Sequence, residues 1–330
     1  MAQIVVGIAA SHTPQLSSGA DLWADHGRRD RRMARLLGRD GEYHSFEELA
    51  AAADPAIAAE LTPEVWHAKY QRTQDGIAEL TRRLAEARPD VAIIIGDDQW
   101  ELFRDEGVPA FALYLGDELW DEPRSEEELS RLAEGLRAAQ WAQHADRRMY
   151  HPIDAKLSAH LTEALCVAEF DIHRFSVQNE GRSLGHAFTF PRYRLGLPAE
   201  TPIVPIFINT YYPPNVPTPR RCHLLGRVLA EAIRDWPQDL RVAVITSGGL
   251  SHFVIDEELD RRVLDAIAAG DPAPLVSIER NRLRSGNSEI LNWITAAGAL
   301  TGLRADFVDY VPGYRSEAGT GTGMAFAAWS

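Results

Sequence analysis

An α/β fold is what this sequence predicts: a single domain over residues 1–330, with a mostly parallel central sheet flanked by helices and a helical insertion at 20–75. Three observations point there. Val91-Ala92-Ile93-Ile94-Ile95 is apolar at every position, as strands buried on both faces must be. Apolar strand-like runs alternate with helix-period segments along the chain. Two of the runs, Ile4–Ile8 and Val242–Ile245, lead directly into turns that carry a histidine, Ser11-His12-Thr13-Pro14 and Ser247-Gly248-Gly249-Leu250-Ser251-His252. Open α/β sheets gather ligands at that strand edge.

Residues 3–9 read as the first buried strand. Residues 20–50 are polar, with the charge run Arg28-Arg29-Asp30-Arg31-Arg32, and 47–60 are rich in Ala and Glu. Thr62-Pro63-Glu64 starts a helix, proline being favoured in the first turn, and Ile77, Leu80 and Leu84 share its apolar face up to Ala87. Arg88-Pro89 stops it. The strand at 91–95 ends in Gly96-Asp97-Asp98-Gln99, and 109–115 is another strand. The charged stretch 116–150 reads as an excursion over the surface. A helix is expected at 154–168, a short strand near 171–175, and a buried strand at 203–209 ending in Thr210-Tyr211-Tyr212-Pro213-Pro214. Then come an amphipathic helix at 220–236, a strand at 242–246, helices at 256–269 and 288–297, and a last strand at 305–311 before a glycine-rich tail. No linker or repeat divides the chain.

Acidic residues outnumber basic ones, 48 to 34, for a net charge of −14, which argues against a nucleic-acid surface. The two cysteines, Cys166 and Cys222, lie far apart without metal-site spacing and read as idle thiols of a reducing, cytoplasmic compartment. No leader pattern and no spanning apolar run is visible, so no membrane partner is expected.

An isolated histidine near a strand end is more often a packing residue than a ligand. His12 and His252 gain interest because both follow strands that would end at one edge. Glu289 follows Ser288, read as a helix N-cap, and its carboxylate suits either the helix dipole or a metal. His186, in Leu184-Gly185-His186, reads as a satisfied core group, and Arg315 as a surface cation in the glycine-rich tail. No G-x-S-x-G surrounds Ser247 or Ser251, which disfavours a serine hydrolase. Gly319-Thr320-Gly321-Thr322-Gly323 lacks the strand-to-helix context of a phosphate loop.

Taken in order, Ser11-His12-Thr13-Pro14, Gly185-His186, Thr210-Tyr211-Tyr212-Pro213-Pro214, Gly248-Gly249-Leu250-Ser251-His252 and Ser288-Glu289 resemble the class III extradiol ring-cleavage dioxygenases. This is the LigB-like superfamily of the protocatechuate 4,5-dioxygenase catalytic subunit, and the chain is most similar to its 3-O-methylgallate and gallate types. The resemblance implies a non-haem Fe(II) enzyme, with Mn(II) as a substitute, that opens a catechol- or gallate-type ring with O2. It implies His12 and Glu289 as metal ligands, His252 as the acid/base and His186 as a second imidazole beside the substrate. Arg315, Tyr211, Tyr212, Thr13 and Ser316 would hold the substrate. Where relatives carry the second ligand histidine, this chain has Gln99. A neutral Gln carbonyl leaves the metal site's charge as an imidazole would, whereas a ligand Asp98 would lower it by one. The partners implied are a small aromatic diol and O2, in a homodimer. Two other classes remain open: a non-catalytic Memo-like binding or signalling protein of the same fold, and a metal-dependent hydrolase using the same edge.

Overall fold

In the computed structural model, which describes residues 1–330, the apolar runs pair as expected and the tail joins them. The strands are β1 (Gln3–Ala10), β2 (Leu36–Leu37), β3 (Tyr43–His44), β4 (Val91–Asp97), β5 (Phe111–Tyr114), β6 (Glu118–Asp121), β7 (Met149–Pro152), β8 (His173–Phe175), β9 (Ile203–Ile208), β10 (Arg241–Ser247), β11 (Ala305–Tyr314) and β12 (Gly321–Trp329). Eight of them form one sheet in the order β11-β12-β1-β10-β4-β9-β5-β8. The four central strands β1, β10, β4 and β9 run parallel. Antiparallel pairing enters on both sides, at β12 with β1 and at β5 with β9. The other strands make two small ribbons, β2-β3 and β6-β7.

Strand residues divide between the two faces with a period of two. Ile93, Ile95, Val204, Ile206, Val242 and Val244 pack on one side, against the helices Ala155–Val167, Pro219–Asp235, Glu257–Ala269 and Ile290–Ala299. Ala92, Ile94, Phe207, Ala243 and Ile245 face the helices Pro63–Ala87 and His186–Leu195. Helix 219–235 lies so close to helix 290–299 that a Cβ on Gly226 would come within 2.0 Å of the Thr295 carbonyl oxygen. No helix is long and apolar enough to cross a membrane.

Four expectations need correction. The strand expected at 305–311 is not the last: residues 321–329 of the glycine-rich tail form β12, buried throughout, between β1 and β11. Its small residues hide the alternation that marks a strand, and its neighbours supply the bulk. The segment 20–75 is not one helical insertion. It holds short helices and the β2-β3 ribbon, and from Pro63 onward it is the first half of a 25-residue helix that packs on the sheet. The stretch 116–150 carries β6 and the start of β7, and part of it returns to wall the cavity described below. Ser288 is not an N-cap: its hydroxyl donates to the Ser285 carbonyl inside a 3-10 turn, and Glu289 stands at the junction with the following helix.

Candidate metal centre and ring-binding cavity

The four parallel strands all end at one edge. β1 delivers His12, β10 the turn to His252, β4 Asp97 and Gln99, and β9 Tyr211. Helix 290–299 brings Glu289 and Asn292 across the same edge. Of these side chains His12, Gln99, Tyr211, His252 and Glu289 line a cavity of about 240 Å³, at the small end for a ligand pocket and suited to a single ring, while Asp97 and Asn292 lie behind its wall.

His12 is buried, and its Nδ1 lies 2.7 Å from Ser247 Oγ. That contact leaves Nε2 aimed at Glu289 Oε2, 3.2 Å away. Glu289 is the hub. Its Oε2 accepts from the Gly249 amide at 2.5 Å. Its Oε1 accepts from Tyr211 Oη at 2.8 Å and lies 3.3 Å from His252 Nε2. Burial alone would raise the pKa of Glu289, but the His252 and His12 imidazoles outweigh it and hold the carboxyl well below its usual range. Burial drives Tyr211 the other way, helped by Glu289 and Asp97, so it stays a neutral phenol donor.

Asp97 is fully buried and accepts from Asn292 Nδ2 at 2.8 Å. Burial and the neighbouring Glu289 push its pKa up to about 6, partly offset by His12. His12, Asp97 and Glu289 offer ligand atoms that all lie within 4.8 Å of one another. One imidazole nitrogen and two carboxylates fit a hard to borderline divalent cation, and such an ion would relieve the repulsion between the two acids.

Asp98 takes no part in this set. The period of two turns it to the opposite face from Asp97, and its oxygens accept from the Leu102 and Phe103 amides at 2.8 and 3.1 Å. Gln99 borders the set. Its Nε2 donates to Asp97 Oδ2 at 3.1 Å and to Glu289 Oε1 at 3.2 Å, bridging the two acids.

His252 is held from behind, with its Nδ1 2.8 Å from the Leu250 carbonyl and its Nε2 toward the cavity. Burial lowers its pKa, but Glu289 more than compensates, so the net shift is upward. His186 packs edge-on to His12, with ring centroids 4.6 Å apart. Its Nδ1 meets Glu101 Oε1 at 2.5 Å. Burial opposes the charge on His186, yet Glu101 raises it to about 9, and Glu101 itself falls to about 2 despite its own burial.

The expected substrate-holding residues divide. Thr13 and Tyr211 line the cavity. Arg315 lines it too, but its charge is already met: Nε and Nη2 grip Asp30 at 2.6 and 3.0 Å, and Nη1 donates to Gln15 Oε1. Tyr212 stacks edge-on against Trp100, away from the cavity lining. Ser316 is buried, its hydroxyl 2.6 Å from that of Thr320.

Sequence reading passed over Asp97, Glu101, Ser247, Asn292 and Asp30. A signal for Asp97 was present: an acid in phase with Ile93 and Ile95 belongs to their face. Glu101, Ser247 and Asn292 act through hydrogen bonds to residues far away in sequence, and no local pattern marks them.

With this geometry in view, comparison with known proteins places the chain in a class. Residues 54–325 match the family described as the catalytic LigB subunit of aromatic ring-opening dioxygenase, and the chain belongs to that family. His12 lies outside the matched range and is brought to Glu289 by the fold. The chain is similar to a gallate dioxygenase of Pseudomonas putida, 32% identical over 162 residues, which is 44% of this chain and 46% of that protein. It also resembles a 2,3-dihydroxyphenylpropionate/2,3-dihydroxicinnamic acid 1,2-dioxygenase of Cupriavidus pinatubonensis, 32% identical over 130 residues, 37% of this chain and 38% of that one. A protein of the same description from Klebsiella pneumoniae is 25% identical over 177 residues, 53% of this chain and 48% of that one. The matched segments thus span less than half the length of each of these relatives.

Proposed function

We propose that this chain opens a catechol- or gallate-type ring with O2, extradiol fashion, at an Fe(II) centre held by His12, Asp97 and Glu289. The observation that carries the proposal is their convergence beside His252, where His12 and Glu289 line a ring-sized cavity, in a chain of the LigB family. Bound there, Fe(II) supplies two things: Lewis acidity toward a diolate, and a route for electrons from the diolate to O2.

The residues around the centre have separable tasks. The Leu250 carbonyl accepts a hydrogen bond from His252 Nδ1–H, so Nε2 is the basic nitrogen. From that position His252 removes a hydroxyl proton as the diol binds and returns it later in the reaction. Its upward pKa suits this two-way traffic. His186, charged through Glu101, presents its Nε2–H as a fixed donor to an anionic diolate oxygen. Tyr211 keeps Glu289 in place and stands 3.4 Å from His252 Nε2. Ser247 sets the His12 tautomer, and Gln99 ties the two acids together. With its amide turned over, Gln99 would present Oε1 as a further neutral ligand.

The test is anaerobic loading with Fe(II), followed by oxygen uptake with 3-O-methylgallate, gallate, protocatechuate and catechol. The expected result is uptake with a new yellow ring-opened chromophore. Bound iron with no uptake on any diol would overturn the reading.

A further inference from the structure

A carboxylate on the substrate ring needs a cation that is free to receive it, and Arg315 is not. Asp30 engages two of its nitrogens and Gln15 the third, all in a buried setting. Its guanidinium serves to lock helix Trp23–Asp30 onto the loop that precedes β12.

The preceding residue on that helix behaves differently. The helical period turns Asp30 toward Arg315 and leaves Arg29 in the cavity wall, with His252, Tyr211 and Phe253 among its neighbours there. The Arg29 guanidinium carbon lies 5.5 Å from the centre of the Phe253 ring, and that of Arg315 lies 6.0 Å from the same centre. The Arg29 guanidinium makes no hydrogen bond or ion pair with a protein group, in contrast to that of Arg315. It is also largely withdrawn from water. Burial and the nearby Arg315 charge both depress its basicity, only partly offset by Asp30. A desolvated cation without a counter-ion is costly, and an anionic ligand group removes that cost.

Another cavity-lining arginine, Arg124, is exposed and gives its Nε to Gln140 Oε1. It lacks both the desolvation and the aromatic platform of Arg29.

We propose that Arg29 is the specificity-determining cation of the cavity, taking a ring carboxylate by a forked contact over Phe253, so that the preferred substrates are carboxylated diols rather than neutral catechols. The ring's position rests on the ring-opening reading, whereas recognition of its carboxylate does not. The planar guanidinium matches a carboxylate in geometry, which an ammonium does not.

The experiment is an anaerobic calorimetric titration of the full chain, with and without Fe(II), using 3,4-dihydroxybenzoate and catechol as probes. The variants are Arg29→Met, Arg29→Lys and Arg124→Met. Wild type should prefer the carboxylated probe. Arg29→Met should reduce that preference about 10- to 100-fold, as expected for losing hydrogen bonds between charged groups, and Arg29→Lys should recover part of it. Arg124→Met should leave it within about twofold. Equal weakening of both probes in Arg29→Met, an unchanged ratio, or loss of the preference in Arg124→Met instead would overturn the proposal. The same ratio read as kcat/KM in oxygen uptake separates the two claims. Ring opening of both diols with no effect of Arg29→Met leaves the ring-opening reading standing and removes this one. An Arg29-dependent preference in binding without oxygen uptake does the reverse.

Discussion

Asp260→Asn isolates one buried acid that steadies the turn carrying His252. Asp260 is fully buried, and its oxygens take Ser251 Oγ at 2.7 Å, the Ser251 amide at 2.8 Å and Tyr310 Oη at 2.7 Å. Burial pushes its pKa up to about 7, although the contacts with Ser251 and Tyr310 pull it down. In the unfolded chain an aspartate titrates near ~3.9. Between these values the folded state binds the proton more tightly, so the stabilising contribution is full below about pH 4 and is lost as pH rises toward about 7. Three units correspond to about 4 kcal/mol, as an order of magnitude. Asparagine keeps the size and an acceptor oxygen but cannot ionise. Urea unfolding of both proteins between about pH 4 and 8 should therefore show Asp260→Asn gaining stability relative to wild type as pH rises, by up to about 4 kcal/mol. Other acids contribute to both curves and cancel in the difference. Parallel curves would refute the reasoning, because Asp260 would then titrate as it does in water.

Three further outcomes follow from the site. Ser247→Ala removes the partner of His12 Nδ1 and should weaken Fe(II) binding about 10- to 100-fold in a chelator competition, with little change in folding stability. His252→Asn should lower kcat about 100- to 10,000-fold while one iron still binds, measured by stopped-flow turnover together with metal analysis. Asp30→Asn leaves Arg315 buried with half of its fork unmet and should cost about 3–5 kcal/mol in urea unfolding, more than any effect on iron content.

The parallel core was legible because its strands are apolar at nearly every position, and little but a two-faced sheet accommodates such runs. β12 escaped because Gly321-Thr322-Gly323 and Ala325, Ala327 and Ala328 have little bulk, so their burial depends on what packs against them. His12, His252 and Glu289 could be singled out because each follows a strand end or a turn with a recognisable motif. Arg29 is hidden in a run of charged residues that reads as solvated until the helix period separates buried Asp30 from the cavity-facing Arg29. Arg315 drew attention as a cation in the tail, but its neutralisation by Asp30 joins residues 285 positions apart and is visible only after folding.

Ring opening by O2 at the proposed His12, Asp97 and Glu289 centre leaves an isotopic signature. Its most direct test is to run the Fe(II)-loaded chain on 3,4-dihydroxybenzoate and gallate under 18O2 and weigh the products, with Glu289→Gln alongside. The expected result is a ring-opened product carrying oxygen from O2, and none from Glu289→Gln. Product oxygen drawn only from water, or equal labelling by wild type and Glu289→Gln, would contradict it.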